Sequence, residues 1–237
     1  MADIFRRIEK KYIITEKQFE SLKGKLNDYM LEDEHGKSTI CNIYFDSRLY
    51  ELISHSITKP YFKEKIRLRS YNIPNQDSDV FLEIKRKCEG IVSKRRIQMK
   101  LKDLNNYIVD KQSIKNKNEQ IKTELDYYFD KYNLTPAMYL SYDREAFYQK
   151  NDRDFRITFD SNVIAREYDL NLDSKNYGNK ILEDGKYIME VKTLGAMPLW
   201  FVKILDNLEI MPCGFSKYGE AYTQLILKTN TCKTCLI

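Results

Sequence analysis

At 237 residues, 42% of them hydrophobic, the chain holds enough apolar matter for one large domain or two small ones. A net charge of only +5 with 32% charged residues means that any strongly basic site must come from placement, with acidic residues segregated elsewhere. No apolar run approaches a membrane span, Met1 to Lys11 is too charged for a secretory signal, and the eight scattered glycines form no phosphate loop, so a soluble, cytoplasmic protein outside the P-loop enzymes is expected. The five cysteines (Cys41, Cys88, Cys213, Cys232, Cys235) show no framework spacing. Cys232 and Cys235 have the spacing of half a zinc site without a second half, and read as two thiols on a tail in a reducing compartment.

In chain order, Phe5 to Ile14 reads as a first strand with Arg7, Glu9 and Lys11 on one face. Thr15 and Gln18 make a capping-box pattern, and the spacing of Phe19, Leu22 and Leu26 predicts a helix from Glu16 to about Met30. Thr39 to Asp46 is a second strand, followed by a short helix over Leu49 to Ile53. Three strands follow between Tyr61 and Gln98, joined by a loop at Asn72 to Asn75 and a turn at Cys88-Glu89-Gly90. Each alternates: Lys65, Arg67 and Arg69 against Ile66 and Leu68; Glu83 and Lys85 against Leu82 and Ile84; Lys94, Arg96 and Gln98 against Ile97 and Met99.

Helical spacing returns from Asp103 to Tyr132, interrupted by the polar Lys111 to Gln120, where a mobile loop or an insertion is expected. Ala137 to Tyr148 and Asp154 to Asp160 are strands, with a separate short one somewhere in Asn162 to Leu170. Tyr187 to Thr193 is the last strand, pairing Glu190 with Lys192 on a face. A helix runs from Pro198 to about Leu208, and another from near Ser216 to Leu227. No repeat or composition shift divides the chain, so a single domain over 1–228 is expected, with a tail over 229–237.

A solvated face accounts for any one charged strand, since antiparallel sheets often have a wet side. Three in succession argue further, because cations crowded on one face repel unless water or an anion neutralises them. About eight hairpin-connected strands and several helices predict an α+β fold: a closed antiparallel β-barrel, or tunnel, with the helices packed outside and the charged faces inward. One face per strand gathers Arg7, Lys11, Lys65, Arg67, Arg69, Lys85, Lys94, Arg96, Arg144, Arg156 and Lys192 against Glu9, Glu83, Glu190 and Asp160. Such an excess is tolerable around water or a polyanion. Arginine forks suit phosphate oxygens, lysines supply point charges, and the minority carboxylates suit Mg2+ or Mn2+.

Arg7-x-Glu9-x-Lys11-Tyr12 resembles the first-strand motif of the triphosphate tunnel metalloenzymes, the CYTH-like superfamily, where ExExK is usual; Arg7 in place of the first Glu is typical of the VTC-domain polyphosphate polymerases. Ile43 to Asp46, Ile66 to Arg69, Phe81 to Lys85, Tyr142 to Phe147, Phe155 to Asp160, Met189 to Lys192 and Phe215 to Tyr218 resemble VTC-domain motifs in the expected order. The resemblance implies transfer of the γ-phosphoryl group of ATP onto a growing inorganic polyphosphate chain. By that resemblance Lys11, Arg67, Arg69, Lys85, Lys94, Arg144, Arg156 and Lys192 match the catalytic basic residues, with Lys94 chosen over Arg95 by strand parity. Lys217 matches a substrate contact, and Arg7, Lys65 and Arg96 join it from their strand faces. Glu190 matches the metal-binding glutamate, with Glu9 a second ligand for Mn2+ or Mg2+. The family's membrane segments and phosphoinositide-sensing domain have no counterpart in this sequence, which leaves any membrane or export partner unknown. A triphosphatase of the same fold and a non-catalytic polyphosphate-binding module are the rival functions. Nucleic acid is not expected as a partner, because no exposed aromatic platform accompanies the cations.

Overall fold

The computed structural model describes residues 8–34, 36–89, 91–108 and 119–228. Arg7, the tail with Cys232 and Cys235, and most of the expected polar interruption, at 109–118, lie outside the described residues. Two compact units are interleaved in sequence: one comprises Met1–Ser38, Tyr142–Val163 and Leu182–Ser216, the other Thr39–Ser141, Ile164–Ile181 and Lys217–Ile237. The registers described are all antiparallel, which establishes the expected α+β class.

In the first unit β1 (Ile8–Thr15) pairs with β10 (Lys186–Thr193), β10 with β8 (Asp152–Arg166), and β8 with β7 (Thr135–Gln149), onto which the short β2 (Met30–Glu32) is added. Tyr12 and Ile14, Phe155, Ile157 and Phe159, and Met189 and Val191 turn to one face. Two helices cover that face, α1 (Glu16–Leu26) with Phe19, Leu22 and Leu26, and α5 (Leu199–Asn207) with Phe201, Ile204 and Leu205. The capping box is formed as expected: Gln18 N donates to Thr15 Oγ1 at 3.3 Å and Thr15 N to Gln18 Oε1 at 3.0 Å. The Gln18 amide also donates to the Leu208 carbonyl at 2.9 Å, tying the start of α1 to the end of α5. The helix stops at Leu26, short of the expected Met30. Lys150 Nζ takes up the carbonyls of Asn27 and Asp28, at 2.9 and 3.0 Å, and Met30 is drawn into β2 opposite Gln149.

In the second unit the ladders run from β7 to β3 (Ser38–Asp46), β4 (Phe62–Tyr71), β5 (Asp79–Cys88) and β6 (Ile91–Lys100). Ile66, Leu68, Leu82, Ile84, Ile97 and Met99 share the face covered by Tyr107 of α3 (Leu104–Ile108) and by Leu125 and Tyr128 of α4 (Glu119–Tyr132). The helix after β3 is α2 (Glu51–Ile57), later in the chain than the expected Leu49 to Ile53. Its free N–H groups explain the offset. The carboxylate of Asp46 accepts from Leu52 N at 2.9 Å and Ile53 N at 3.0 Å, so the cap comes from the end of β3.

Two further expectations are corrected. Closure would require the terminal strands of the ladder path to pair; among the described residues β6 pairs only with β5, and β1 takes a single bridge, Lys11↔Cys213, on its second edge. The ladder is therefore open. Its end strand β6 bears Lys94, Arg95 and Arg96, the kind of charge that keeps an edge from recruiting another strand. The separate strand expected after Asn162 is a continuation of β8, which runs to Arg166 by placing Asn162 at a φ of 50°.

The loop after β8 is held by Arg166, which is fully buried. Its guanidinium lies 3.6 Å from the ring centre of Tyr139 and donates to the carbonyls of Asp169, Lys175 and Tyr177. Gly178 then brings the chain back beside β8, where a short β9 (Asn179–Lys180) pairs with Ile164 and Ala165. Gly178 has a φ of 147°, and a Cβ there would fall 2.5 Å from the Ala165 carbonyl oxygen. Gly178→Ala should accordingly lower unfolding free energy by about 1–3 kcal/mol, read from urea denaturation; an unchanged midpoint would mean that the Arg166 loop gives way at no cost.

Candidate functional site

The faces turned away from the helices carry the chemistry, one set of residues in each unit. In the second unit the register stacks these residues in rows across neighbouring strands. Tyr44, Arg67, Glu83 and Arg96 form one row, Asn42, Arg69, Phe81 and Gln98 the next on one side, and Lys65, Lys85 and Lys94 the next on the other. Glu83 is the centre. Its carboxylate is 1% exposed, with Arg67 Nε 2.8 Å and Arg69 Nε 3.9 Å from Oε2, and Lys94 Nζ 2.6 Å from Oε1. Oε1 is buried and takes Lys94 as its charge partner, while Oε2 takes both arginines. Burial pushes the Glu83 carboxyl up, but the three cations outweigh it and hold it at about 2. Burial conversely pulls Lys94 down to about 8 against the attraction of Glu83.

Neutral groups fix the arginines. Arg69 Nε donates to Asn42 Oδ1 at 3.1 Å, and Asn42 Nδ2 donates to the Leu140 carbonyl. Arg67 Nη1 donates to Tyr44 OH at 3.2 Å, the Tyr44 ring stacks on Tyr218 at 4.3 Å, and Tyr218 OH donates to Asp46 Oδ2 at 3.0 Å. Burial would raise the Tyr44 phenol, yet Arg67, Arg69 and Lys217 bring it below its ordinary value. Lys217 opens α6 (Lys217–Tyr222) and is buried. Arg96 lies over the Phe81 ring at 4.5 Å. Arg95 faces the other way, 3.3 Å from Glu124 of α4, so parity separates it from Lys94 as expected.

In the first unit Lys11 stands opposite Glu190, and Glu9 opposite Lys192. Lys11 Nζ lies 3.7 Å from Glu9 and 3.4 Å from Glu190, and donates to the Phe215 carbonyl at 3.1 Å. Arg144 makes a two-pronged pair with Asp160, at 2.6 and 2.7 Å, and its Nη2 reaches to 3.7 Å from Glu190 Oε2, with Lys192 at 3.8 Å. Arg156 pairs in register with Lys192 but is exposed and donates to the carbonyl of Arg153, so it sits on the right face outside the ion cluster.

Among the described residues no group of three or more His, Cys, Asp or Glu side chains converges as a metal cage. Glu9 and Glu190 converge on Lys11 as a two-carboxylate set, and Thr158, opposite Glu190 in register, has a buried hydroxyl without a hydrogen-bond partner. Such a set suits Mg2+ or Mn2+, which is commonly held by one or two carboxylates with phosphate and water oxygens completing the shell.

The family model of the VTC domain matches residues 6–226. The chain belongs to the VTC-domain family. The matched span takes in every expected site residue from Arg7 to Lys217. Among solved structures, a Bacillus halodurans protein provisionally called an adenylate cyclase is similar over 89% of this chain and 95% of its own, at 12% identity and a TM-score of 0.54, a likeness of fold. A Vibrio parahaemolyticus protein given the same provisional description aligns over 90% of this chain and 96% of its own, with 10% identity and a TM-score of 0.47. A Pyrococcus horikoshii protein aligns over 92% and 98%, with 16% identity and a TM-score of 0.46. No described helix is long and apolar enough to cross a membrane.

What sequence reading of this VTC domain missed is the supporting set: Glu83 as the pivot, with Asn42, Tyr44, Tyr218 and Asp46 behind it. The signal was present in β3, where Asn42, Tyr44 and Asp46 alternate with Cys41, Ile43 and Phe45. Removing the pivot should be costly, because Arg67, Arg69 and Lys94 would be left without their counter-charge. Glu83→Gln is expected to lose roughly 3 kcal/mol of stability at neutral pH. The wild-type carboxylate contributes fully above its ordinary value of 4.5 and loses that contribution as pH falls towards 2, so the gap between the two proteins should close over that window. Adding tripolyphosphate should restore much of the variant's melting temperature; no restoration would show that this face does not take an anion.

Proposed function

We propose that this VTC domain is a polyphosphate polymerase that transfers the γ-phosphoryl group of ATP to the end of an inorganic polyphosphate chain and releases ADP. The observation that carries the reading is the register of the three rows around Glu83, which gathers Lys65, Arg67, Arg69, Lys85, Lys94 and Arg96 on one sheet face. Phosphoryl transfer asks a protein chiefly to align donor and acceptor and to offset charge on the transferred oxygens, with little covalent work. Those are tasks for fixed forks and point charges.

In this reading Arg67, Arg69, Arg144 and Arg156 are the forks, each able to hold two phosphate oxygens, and Asn42, Tyr44 and Asp160 fix the directions of three of them. Lys11, Lys85, Lys94 and Lys192 act as point charges that lower repulsion between two polyanions, with Lys65, Arg96, Lys217 and Arg7 as further substrate contacts. The bond broken is between the γ-phosphorus and its bridging oxygen; the bond formed joins that phosphorus to a terminal oxygen of the chain. Glu190 and Glu9 would hold Mg2+ or Mn2+, which supplies charge neutralisation on the donor oxygens. Lys11 then orients the two carboxylates.

Incubation with ATP and Mn2+ or Mg2+ separates the readings: long polymer and ADP support the polymerase, free phosphate alone supports a triphosphatase, and neither product with retained polyphosphate affinity supports a binding module. Glu190→Gln should reduce metal-dependent turnover at least a hundredfold while leaving the melting temperature within a few degrees of wild type; retained turnover would remove Glu190 from metal binding. Lys94 supplies a pH test. With its free-state value near 8, it must take up a proton to hold an anion at higher pH, so polyphosphate affinity should fall by up to about tenfold per unit above that value. Titration calorimetry at pH 7 and pH 9 should show this fall in wild type and a much shallower one in Lys94→Arg.

A further inference from the structure

The charged face of β5 is interrupted once by a hydrocarbon ring. Val80 and Leu82 lie in the core, so Phe81 between them turns to the side of Glu83 and Lys85, where it is half-buried. The register places Arg69 directly opposite it on β4 and Gln98 directly opposite it on β6. Arg96 stands opposite Glu83 one row away, yet its guanidinium lies over the Phe81 ring, 4.5 Å from the centre. Tyr71, 47% exposed, meets the same ring edge-on at 5.9 Å. Gln98 is exposed and donates to the Asp79 carboxylate, which Lys100 also pairs at 2.8 Å.

An arginine and a ring also meet on the helix side of the same strands, in a different setting. Arg86 lies over Tyr128 at 5.2 Å, but that ring is 5% exposed, and Arg86 donates to the Tyr128 hydroxyl and to Glu124, each at 2.9 Å. That contact packs α4 onto the sheet. Arg96 is exposed and Phe81 half-buried, so theirs faces outward. A ring under a guanidinium presents a flat surface on which a nucleobase stacks by its π-face. Gln98 beside it supplies contacts for a base edge. An amide has two N–H groups and a carbonyl, so the bond to Asp79 leaves one donor and one acceptor. That pair matches adenine, which presents a donor at N6 beside the N7 acceptor, and mismatches guanine, which presents two acceptors there.

We propose that Phe81, Arg96 and Gln98 form the site for the base of the nucleotide donor, adenine by preference, with Tyr71 as its side wall. This deepens the polymerase reading and rests on it for the donor being a nucleoside triphosphate. One ring has room for one base, so the platform suits a mononucleotide and not a strand. Arg69, paired with Phe81, then lies beside the sugar, and the phosphates enter the row of Arg67 and Glu83, about 7 Å further along the strands. The base contact distinguishes a nucleotide from a bare polyphosphate of similar charge, which cations alone do not do.

Titration calorimetry in Mg2+ tests the site. Wild type should bind ATP at least about fivefold more tightly than GTP. Phe81→Ala should weaken ATP about tenfold and tripolyphosphate less than about threefold, whereas Phe81→Trp, which keeps a ring, should hold ATP near the wild-type affinity. Gln98→Ala should bring ATP and GTP within about twofold of each other, and Gln98→Arg, whose fork matches guanine, should favour GTP; the ratio of the two nucleotides cancels the added charge. Gln98 is exposed, so its variants keep the test open if Phe81→Ala does not fold. Unchanged ATP affinity in a folded Phe81→Ala would overturn the base site, as would tripolyphosphate falling in step with ATP or equal wild-type affinities for ATP and GTP. If wild type makes polymer while Phe81→Ala binds ATP normally, the base site falls and the polymerase reading stands. If wild type makes none while Phe81→Ala loses ATP selectively, the polymerase reading falls and the base site stands.

Discussion

The balance of charge around Glu83 constrains the second unit more than any other interaction. A carboxylate that is almost wholly buried would by itself be forced towards its neutral form, and three cations on one sheet face would by themselves repel. Together they are mutually compensating. Glu83 serves Arg67, Arg69 and Lys94, and Lys65, Lys85 and Arg96 lie within a row of it. In the proposed reading, a phosphate would join this face as a further counter-charge. Around Glu190 in the first unit the arrangement recurs: Lys11, Arg144 and Lys192 surround one carboxylate, with Asp160 taking the fork of Arg144.

The two-faced strands made much of this legible in the sequence. Alternation along β4, β5 and β6 was regular enough to place Ile66, Leu82 and Ile97 in the core and Arg67, Glu83 and Arg96 opposite them, because a one-residue slip would bury the charges. The same parity distinguishes Lys94 from its neighbour Arg95, which goes to Glu124 on the helix side. Helices α1, α4 and α5 were visible from their apolar spacing, and the Thr15–Gln18 capping box from two residues alone.

Other features depend on partners distant in sequence. Nothing near Met30 announces that it joins a strand, because its partner is Gln149, and the helix end before it is satisfied by Lys150. The start of α2 depends on Asp46, six and seven residues upstream of the Leu52 and Ile53 N–H groups it accepts from. A break at Asn162 was a sound local reading, but a single left-handed residue lets β8 continue and meet β9. Closure was an inference from strand number and charge, and hydrogen-bond pairing at the path ends is a property neither of those determines. Arg156 shows the limit of parity: it shares the face of Lys192, yet its guanidinium folds back onto the carbonyl of its own strand at Arg153.

The supporting groups explain why the arginines can be precise while carrying so much charge. If carboxylates alone oriented Arg67 and Arg69, each would neutralise the charge it positioned, and little field would remain for a phosphate. Asn42 and Tyr44 are neutral acceptors, so they fix direction and leave charge in place. Tyr44 is in turn held by its stack on Tyr218, whose hydroxyl is bound by Asp46, and Asp46 is occupied by the N–H groups of α2. The one aspartate in this chain of contacts thus spends its hydrogen-bonding capacity on backbone and phenol, away from the guanidinium groups. A carboxylate at position 42 or 44 would make a stronger pair with its arginine and a weaker site for an anion, which is why neutral hydrogen-bonding residues fit the beginning of that network and the acid fits only its far end.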